Sequence, residues 1–319
     1  MAPDRRRGQK RGRGAQPHRP VLPAAVLAAL KPRPGRCLLD ATVGAGGHAW
    51  AVGKRLAPGG TVLGLDVDPA ALELAEAKLA GLADVDVQLL GGNFRDLPDA
   101  LARAGRATAD LILADLGVSS MQIDDAGRGI SYRADGPLDM RMDPRLERTA
   151  ADILAEISEQ ELSRALWELA DEPDHERIAR WVVNQRAAAP IDRVEPLCRL
   201  VLDAKGARRR GPKPKWNPYG SQHPAARTFQ ALRMLVNREA EALEAFLSAL
   251  PDCLAAGGRA AVISFHSGED RLVKRALAAG LEAGVYAATA PKPIQPDARQ
   301  RRANPRSASA KLRWAVRAG

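Results

Sequence analysis

From Cys37 to Gly117 the chain alternates short apolar runs with stretches of helical spacing. The runs are CLLDATV at 37–43, TVLGLDVD at 61–68, VDVQLLGGN at 85–93 and ADLILADLG at 109–117. Runs this short and this apolar read as strands buried on both faces. Helical stretches between them return the chain so that each strand starts parallel to the last. PAALELAEAKLAGL at 69–82 carries the punctuation such a helix needs, with Pro69 at its start and Gly81 near its end. The alternation predicts an α/β fold on a parallel sheet.

The pattern then changes. From about 123 to 222 no good strand candidate occurs, while TAADILAEISEQELSRALWELA at 149–170 and ERIARWVVNQRAAA at 176–189 read as helices. A basic, proline-rich loop at 205–220 closes this segment. The α/β pattern resumes with one long helix expected over 225–250 and a fifth strand in GGRAAVISFHS at 257–267. GVYAATA at 284–290 and SAKLRWAVRA at 309–318 suit a closing antiparallel pair. The expected division is a disordered basic arm at 1–19, an α/β domain at 20–122 and 223–319, and a helical insertion at 123–222. A chain of 319 residues that is 45% hydrophobic can bury a core of this size.

No apolar run approaches the roughly 18 residues of a membrane span, so no membrane association is expected. The N-terminus, MAPDRRRGQKRGRG, has charges but no apolar segment after them, unlike a signal peptide, and a cytoplasmic protein is expected. Three scattered cysteines, Cys37, Cys198 and Cys253, build neither a disulfide scaffold nor a zinc site, and no metal is expected. The net charge of +10 is unevenly spread. Residues 1–20 carry +6, residues 205–215 carry +6 and residues 292–319 carry +7, which leaves −9 on the rest. Three basic segments on an acidic body point to a polyanion partner, a nucleic acid.

The first strand ends in Asp40 and runs straight into a glycine-rich loop, LLDATVGAGGHAW at 38–50. Glycines there let a ligand approach the backbone, and the following helix turns its free N–H groups toward it. Gly44, Gly46 and Ala49 fit the permissive dinucleotide fingerprint, a weak signal alone. Asp66 ends the second strand, placed to accept both ribose hydroxyls. Asp40 decides between ligands. A carboxylate beside the loop repels a pyrophosphate but attracts the sulfonium and ammonium of S-adenosylmethionine. Charge therefore favours a methyltransferase over a dinucleotide enzyme. Phe94, after the third strand, either flanks an adenine or belongs to the core. Asp115, at the end of the fourth, faces the crevice where open α/β sheets bind ligands.

These residues sit in long motifs that resemble the ribosomal RNA small-subunit methyltransferase H family, also called MraW. They include HRPVL at 18–22, DATVGAGGH at 40–48, DLGVSSMQIDDAGRGISYRADGPLDMRMD at 115–143, HPAARTFQALRMLVNREAEALE at 223–244, ISFHSGEDRLVKR at 263–275 and NPRSASAKLR at 304–313. The resemblance implies a Rossmann-like S-adenosylmethionine-dependent methyltransferase with an inserted helical domain for substrate recognition. It implies methylation of the N4 amine of a cytidine in small-subunit (16S) ribosomal RNA, within the ribosomal subunit. By position, the implied cofactor contacts are Gly46, Gly47, His48, Asp66, Phe94, Asp115 and Gln122. The chain departs from the family at Ala41 and Gly268 and in a longer segment around 208–224.

The chemistry leaves choices open. A cytidine amine is a poor nucleophile, so a site gains by accepting its hydrogen bonds and aiming it at the methyl group. Asp115 is the candidate catalytic residue for that, with His266 second; the alternative is that Asp115 only fixes the cofactor. Asp139, Arg141 and Asp143 alternate in GPLDMRMD as either an ion-pair anchor or a cleft wall. The tripeptide Asn217–Tyr219 echoes a DNA amino-methyltransferase motif but follows a basic loop, not a strand, and reads as loop.

Overall fold

The computed structural model describes residues 20–206 and 223–319. The basic arm at 1–19, most of the basic loop and the Asn217–Tyr219 tripeptide lie outside the described residues.

The chain enters through α1 (Pro23–Leu30), β1 (Cys37–Asp40), α2 (Gly47–Gly53), β2 (Gly60–Asp66), α3 (Pro69–Leu79), β3 (Val85–Gly91), α4 (Leu97–Arg103) and β4 (Ala109–Asp115). After the short α5 (Ser120–Asp124) come α6 (Ala150–Glu156), α7 (Glu159–Ala170), α8 (His175–Ala188) and α9 (Val194–Ala204). The last third holds α10 (Ala226–Asn237), α11 (Glu239–Cys253), β5 (Leu254–Ser264), α12 (Ser267–Glu282), β6 (Tyr286–Thr289), α13 (Ala298–Ala303) and β7 (Lys311–Arg317).

The seven strands form one sheet in the order β3-β2-β1-β4-β5-β7-β6. The first five run parallel, and β7 is antiparallel to both its neighbours. All seven strand runs expected from the sequence are present, the closing pair included. This is a doubly wound, Rossmann-like sheet whose order reverses between β1 and β4.

Alternation along the strands builds two cores. Leu38, Leu111, Leu113 and Ile263 point to one face and pack with α1, α2 and α3 through Val26, Leu30, Val52 and Leu79. Leu39, Ile112 and Val262 point to the other and meet Leu97, Leu101, Phe246, Leu250 and Val273. Period-two geometry makes neighbours on one strand serve opposite faces, which is why these runs are apolar throughout. A third core lies in the helical insertion, where Leu154, Leu162, Leu166, Ile178 and Leu197 pack together.

The helix expected over 225–250 is two helices. Arg238 adopts a left-handed conformation (φ 50°) between α10 and α11. The break passes the chain from one core to another. Phe229, Leu232 and Val236 of α10 join the core of the insertion, whereas Phe246 and Leu250 of α11 join the sheet core. The bidentate Arg233–Glu239 ion pair, at 2.7 and 2.9 Å, spans the bend. Asn237 ties it to the insertion: its amide nitrogen donates to the Met140 carbonyl and its oxygen accepts from Met142 N–H.

Candidate active site

A cleft of about 1130 Å³ opens at the C-terminal ends of the parallel strands. Its floor is the β1–α2 loop and the ends of β2 and β4. Its far wall comes from the insertion (Tyr132, Met142, Leu169) and from α10, α11 and α12. Single small-molecule sites run roughly 300–1,000 Å³, so this cleft has room for more than one small ligand.

The glycine loop is shaped by its neighbours. Gly46 caps α2 with φ 73°, and a side chain there would meet the Ala75 Cα at 3.3 Å, so α3 presses on the loop's back. Asp66 holds the loop's front. One of its oxygens accepts from Gly44 N–H at 2.9 Å and the other from Asp68 N–H at 3.0 Å. Burial lifts the Asp66 pKa above the usual carboxylate range, with these hydrogen bonds pulling the other way. Each oxygen keeps a lone pair for a ligand hydroxyl.

Asp115 ends β4 beside the same loop, its N–H donating to the Thr42 hydroxyl at 2.7 Å. Its Oδ2 lies 3.5 Å from His48 Nε2, longer than a good hydrogen bond, and its buried Oδ1 has no hydrogen-bond partner. Both ring nitrogens of buried His48 and one oxygen of buried Asp40 are likewise unpartnered. Burial opposes charge on His48, but the Asp115 and Asp40 carboxylates outweigh it and hold its pKa above the ordinary imidazole value. Burial also pushes Asp40 up to about 7. Three acids, Asp40, Asp66 and Asp115, thus converge where the loop meets the strand ends. Such a floor favours a cationic ligand and repels a phosphate, and its spare acceptors fit the ammonium, sulfonium and ribose of S-adenosylmethionine.

Of the residues expected to hold the cofactor, Gly47, His48, Asp66, Phe94, Asp115 and Gln122 all line the cleft, and Gly46 lies directly behind. Phe94 borders the cleft and also packs on the sheet core, meeting Phe246 edge-on at 5.8 Å. Gln122 has a further duty. Its amide nitrogen donates to Asp68 Oδ2 at 3.0 Å, and its oxygen accepts from Ser119 N–H at 3.0 Å. Asp68 is nearly inaccessible, caps α3 and also pairs with Arg128 at 2.8 Å. It is the structural hub that sequence reading missed, although Asp68 followed by Pro69 is a helix-start signal.

The alternating charges at 139–143 divide. Asp139 and Arg141 form a bidentate pair, and Arg141 also donates to the Leu146 carbonyl, so they anchor the insertion's entry. Asp143 borders the cleft while paired to Arg145. His266 caps α12 and faces Glu269 at 3.1 Å. Burial opposes the Glu269 charge, but hydrogen bonds and cations led by His266 lower its pKa. His266 Nδ1 accepts from Glu269 N–H at 3.4 Å, while its buried Nε2 makes no hydrogen bond. No group of metal-ligating side chains occurs among the described residues, and none of their helices is long and apolar enough to cross a membrane.

Asp40, Asp66 and Asp115 gather at the floor, whereas Arg133, Arg271, Arg275 and Arg306 line the outer wall with their side chains exposed, beside the exposed acids Asp124, Glu168 and Glu244, and Arg306 pairs with Asp124. Arg299, Arg301 and Arg302, exposed on and beside α13, extend this rim.

Comparison with known proteins gives this geometry its context. A model described as the MraW methylase family matches residues 15–318. The chain is 45% identical over 313 residues to a ribosomal RNA small subunit methyltransferase H of Pelobacter propionicus, spanning 93% of this chain and 97% of that one. The protein so named in Deinococcus radiodurans is 44% identical over 302 residues, spanning 94% and 90%. That of Sorangium cellulosum is 43% identical over 309 residues, spanning 97% and 93%. The chain belongs to the MraW methylase family and is an S-adenosylmethionine-dependent methyltransferase.

Proposed function

We propose that the protein transfers the methyl group of S-adenosylmethionine to the N4 amine of a cytidine in small-subunit (16S) ribosomal RNA. The acidic floor, suited to a cationic cofactor, carries this reading, and the exposed arginines of the outer wall suit a polyanion. Relatives named for small-subunit ribosomal RNA supply the substrate class. That substrate class supports a cytoplasmic location, with the ribosomal subunit as the form in which the RNA is presented.

The cofactor supplies the electrophilic methyl group. Asp66 accepts its ribose hydroxyls, the loop at Gly46, Gly47 and His48 lets it approach the backbone, and Phe94 borders its base. Gln122 reaches it with the amide hydrogen left over from Asp68. The Asp115 carboxylate, which lines the cleft, accepts a hydrogen bond from the amine and orients it toward the methyl group. The insertion serves as a substrate-recognition domain. Its boundary falls better at the Arg238 bend than at 223, because α10 packs with the insertion.

The test is genetic. Small-subunit ribosomal RNA from a strain lacking the gene is digested to nucleosides and weighed by mass spectrometry. N4-methylcytidine should fall, and return when the gene is restored; an unchanged level contradicts the proposal.

A further inference from the structure

Methyl transfer from a sulfonium to a neutral amine moves a positive charge. The S–CH₃ bond breaks with its electron pair left on sulfur, which becomes neutral. The N–CH₃ bond forms from the amine lone pair, and the nitrogen must then give up one N–H proton. A low-dielectric cleft loses its cation at that moment unless the proton stays nearby.

Beneath the loop lies a cluster able to keep it. Asp40, His48 and Asp115 together leave four buried polar atoms without hydrogen bonds: Asp40 Oδ2, His48 Nδ1, His48 Nε2 and Asp115 Oδ1. Buried polar groups are nearly always satisfied, so four in one cluster mark a place where charge and protons are meant to change. Asp115 and His48 line the cleft, whereas Asp40, 1% exposed, sits behind them. Nearby, Thr42 N–H donates to Asp40 at 3.3 Å, the Asp66 carboxylate raises the Asp40 pKa, and Lys78 opposes a charge on His48. Burial raises the Asp40 pKa to about 7, so Asp40 keeps a proton far more readily than an ordinary carboxyl.

We propose that the Asp40–His48–Asp115 cluster takes up the proton the amine loses and releases it when the next S-adenosylmethionine brings its sulfonium into the cleft. This rests on the reading of the cleft as the cofactor site. The proton leaves N4 to the Asp115 carboxylate, which lines the cleft, and its charge is balanced against His48, whose Nε2 lies 3.5 Å from Asp115 Oδ2, and against Asp40 behind them. The positive charge lost from sulfur is regained as a bound proton, so the cluster's surroundings keep their net charge through the reaction.

The test compares S-adenosylmethionine with S-adenosylhomocysteine, which lacks the methyl group and its charge. Calorimetric titrations at pH 7 in two buffers of different ionisation enthalpy count the protons released on binding. Wild-type protein should release more protons per site with S-adenosylmethionine than with S-adenosylhomocysteine, because the sulfonium displaces a proton from the cluster. Asp40→Asn should bind both ligands and lose that difference. If Asp40→Asn does not fold, His48→Gln should show the same loss. Equal proton release for both ligands in the wild type, or an undiminished difference in the folded variants, overturns the proposal. Failure of either ligand to bind the wild type overturns the cofactor-site reading, and this proposal with it.

Discussion

Asp66 Oδ2 accepts a hydrogen bond from the backbone N–H of Gly44, 22 residues earlier, at 2.9 Å. The acid that ends one strand therefore holds the loop that follows its neighbour. On the proposed function, binding and preorganisation act through a single carboxylate, and Asp66→Ala removes the ribose acceptor and releases the loop together. S-Adenosylmethionine affinity should fall about tenfold to a hundredfold, roughly 1.5–3 kcal/mol. Calorimetry measures it, and an unchanged dissociation constant in a folded variant rules the role out. Asp66→Asn keeps one acceptor for Gly44 and should lose less.

Gln122 pins the start of α5 to Asp68 at the start of α3. Gln122→Ala leaves that buried carboxylate with one donor fewer and should lower stability by about 1–3 kcal/mol without cofactor present. An unaltered urea midpoint would show that the pin carries no stability.

The Asp40 pKa of about 7 makes stability depend on pH in a defined direction. Its ordinary value is 3.8, so between pH about 4 and 7 the folded protein binds more protons than the unfolded chain. More bound protons in the folded state mean that this contribution to stability falls as pH rises through the window. Asn cannot ionise. Cofactor-free Asp40→Asn should therefore gain thermal stability relative to the wild type as pH rises from 4 to 8. Parallel melting-temperature profiles for the two proteins would contradict the burial of an ionising Asp40.

Much of this was legible in the sequence because it is local. A strand ending in an acid, then glycines, then a helix places Asp40, Gly46 and His48 within a single loop. Strand-end position alone brings Asp66 and Asp115 to the same cleft. The bend at Arg238 was not legible, since a left-handed residue usually announces itself as glycine and here is an arginine. Its cause is that two halves of one amphipathic stretch serve different cores. Nor could the sequence show the second duty of Gln122, whose partner lies 54 residues away and is brought near only by the sheet order. Glu172 is a similar case. It is fully buried and held by Lys205 at 2.7 Å and Thr228 at 3.2 Å, partners drawn from both ends of the basic loop.

The central claim is that this cleft aims a cytidine amine at the cofactor's methyl group with Asp115 as acceptor. The most direct measurement incubates purified protein with small ribosomal subunits from the deletion strain and S-adenosylmethionine carrying a deuterated methyl group. Product nucleosides are then resolved by mass spectrometry. The label should appear in N4-methylcytidine. At saturating cofactor, Asp115→Asn, which keeps the shape and loses the charge, should turn over at least about tenfold more slowly, over 1.4 kcal/mol. Label in a different nucleoside, or full turnover in Asp115→Asn with only the Michaelis constant for the cofactor raised, would contradict it.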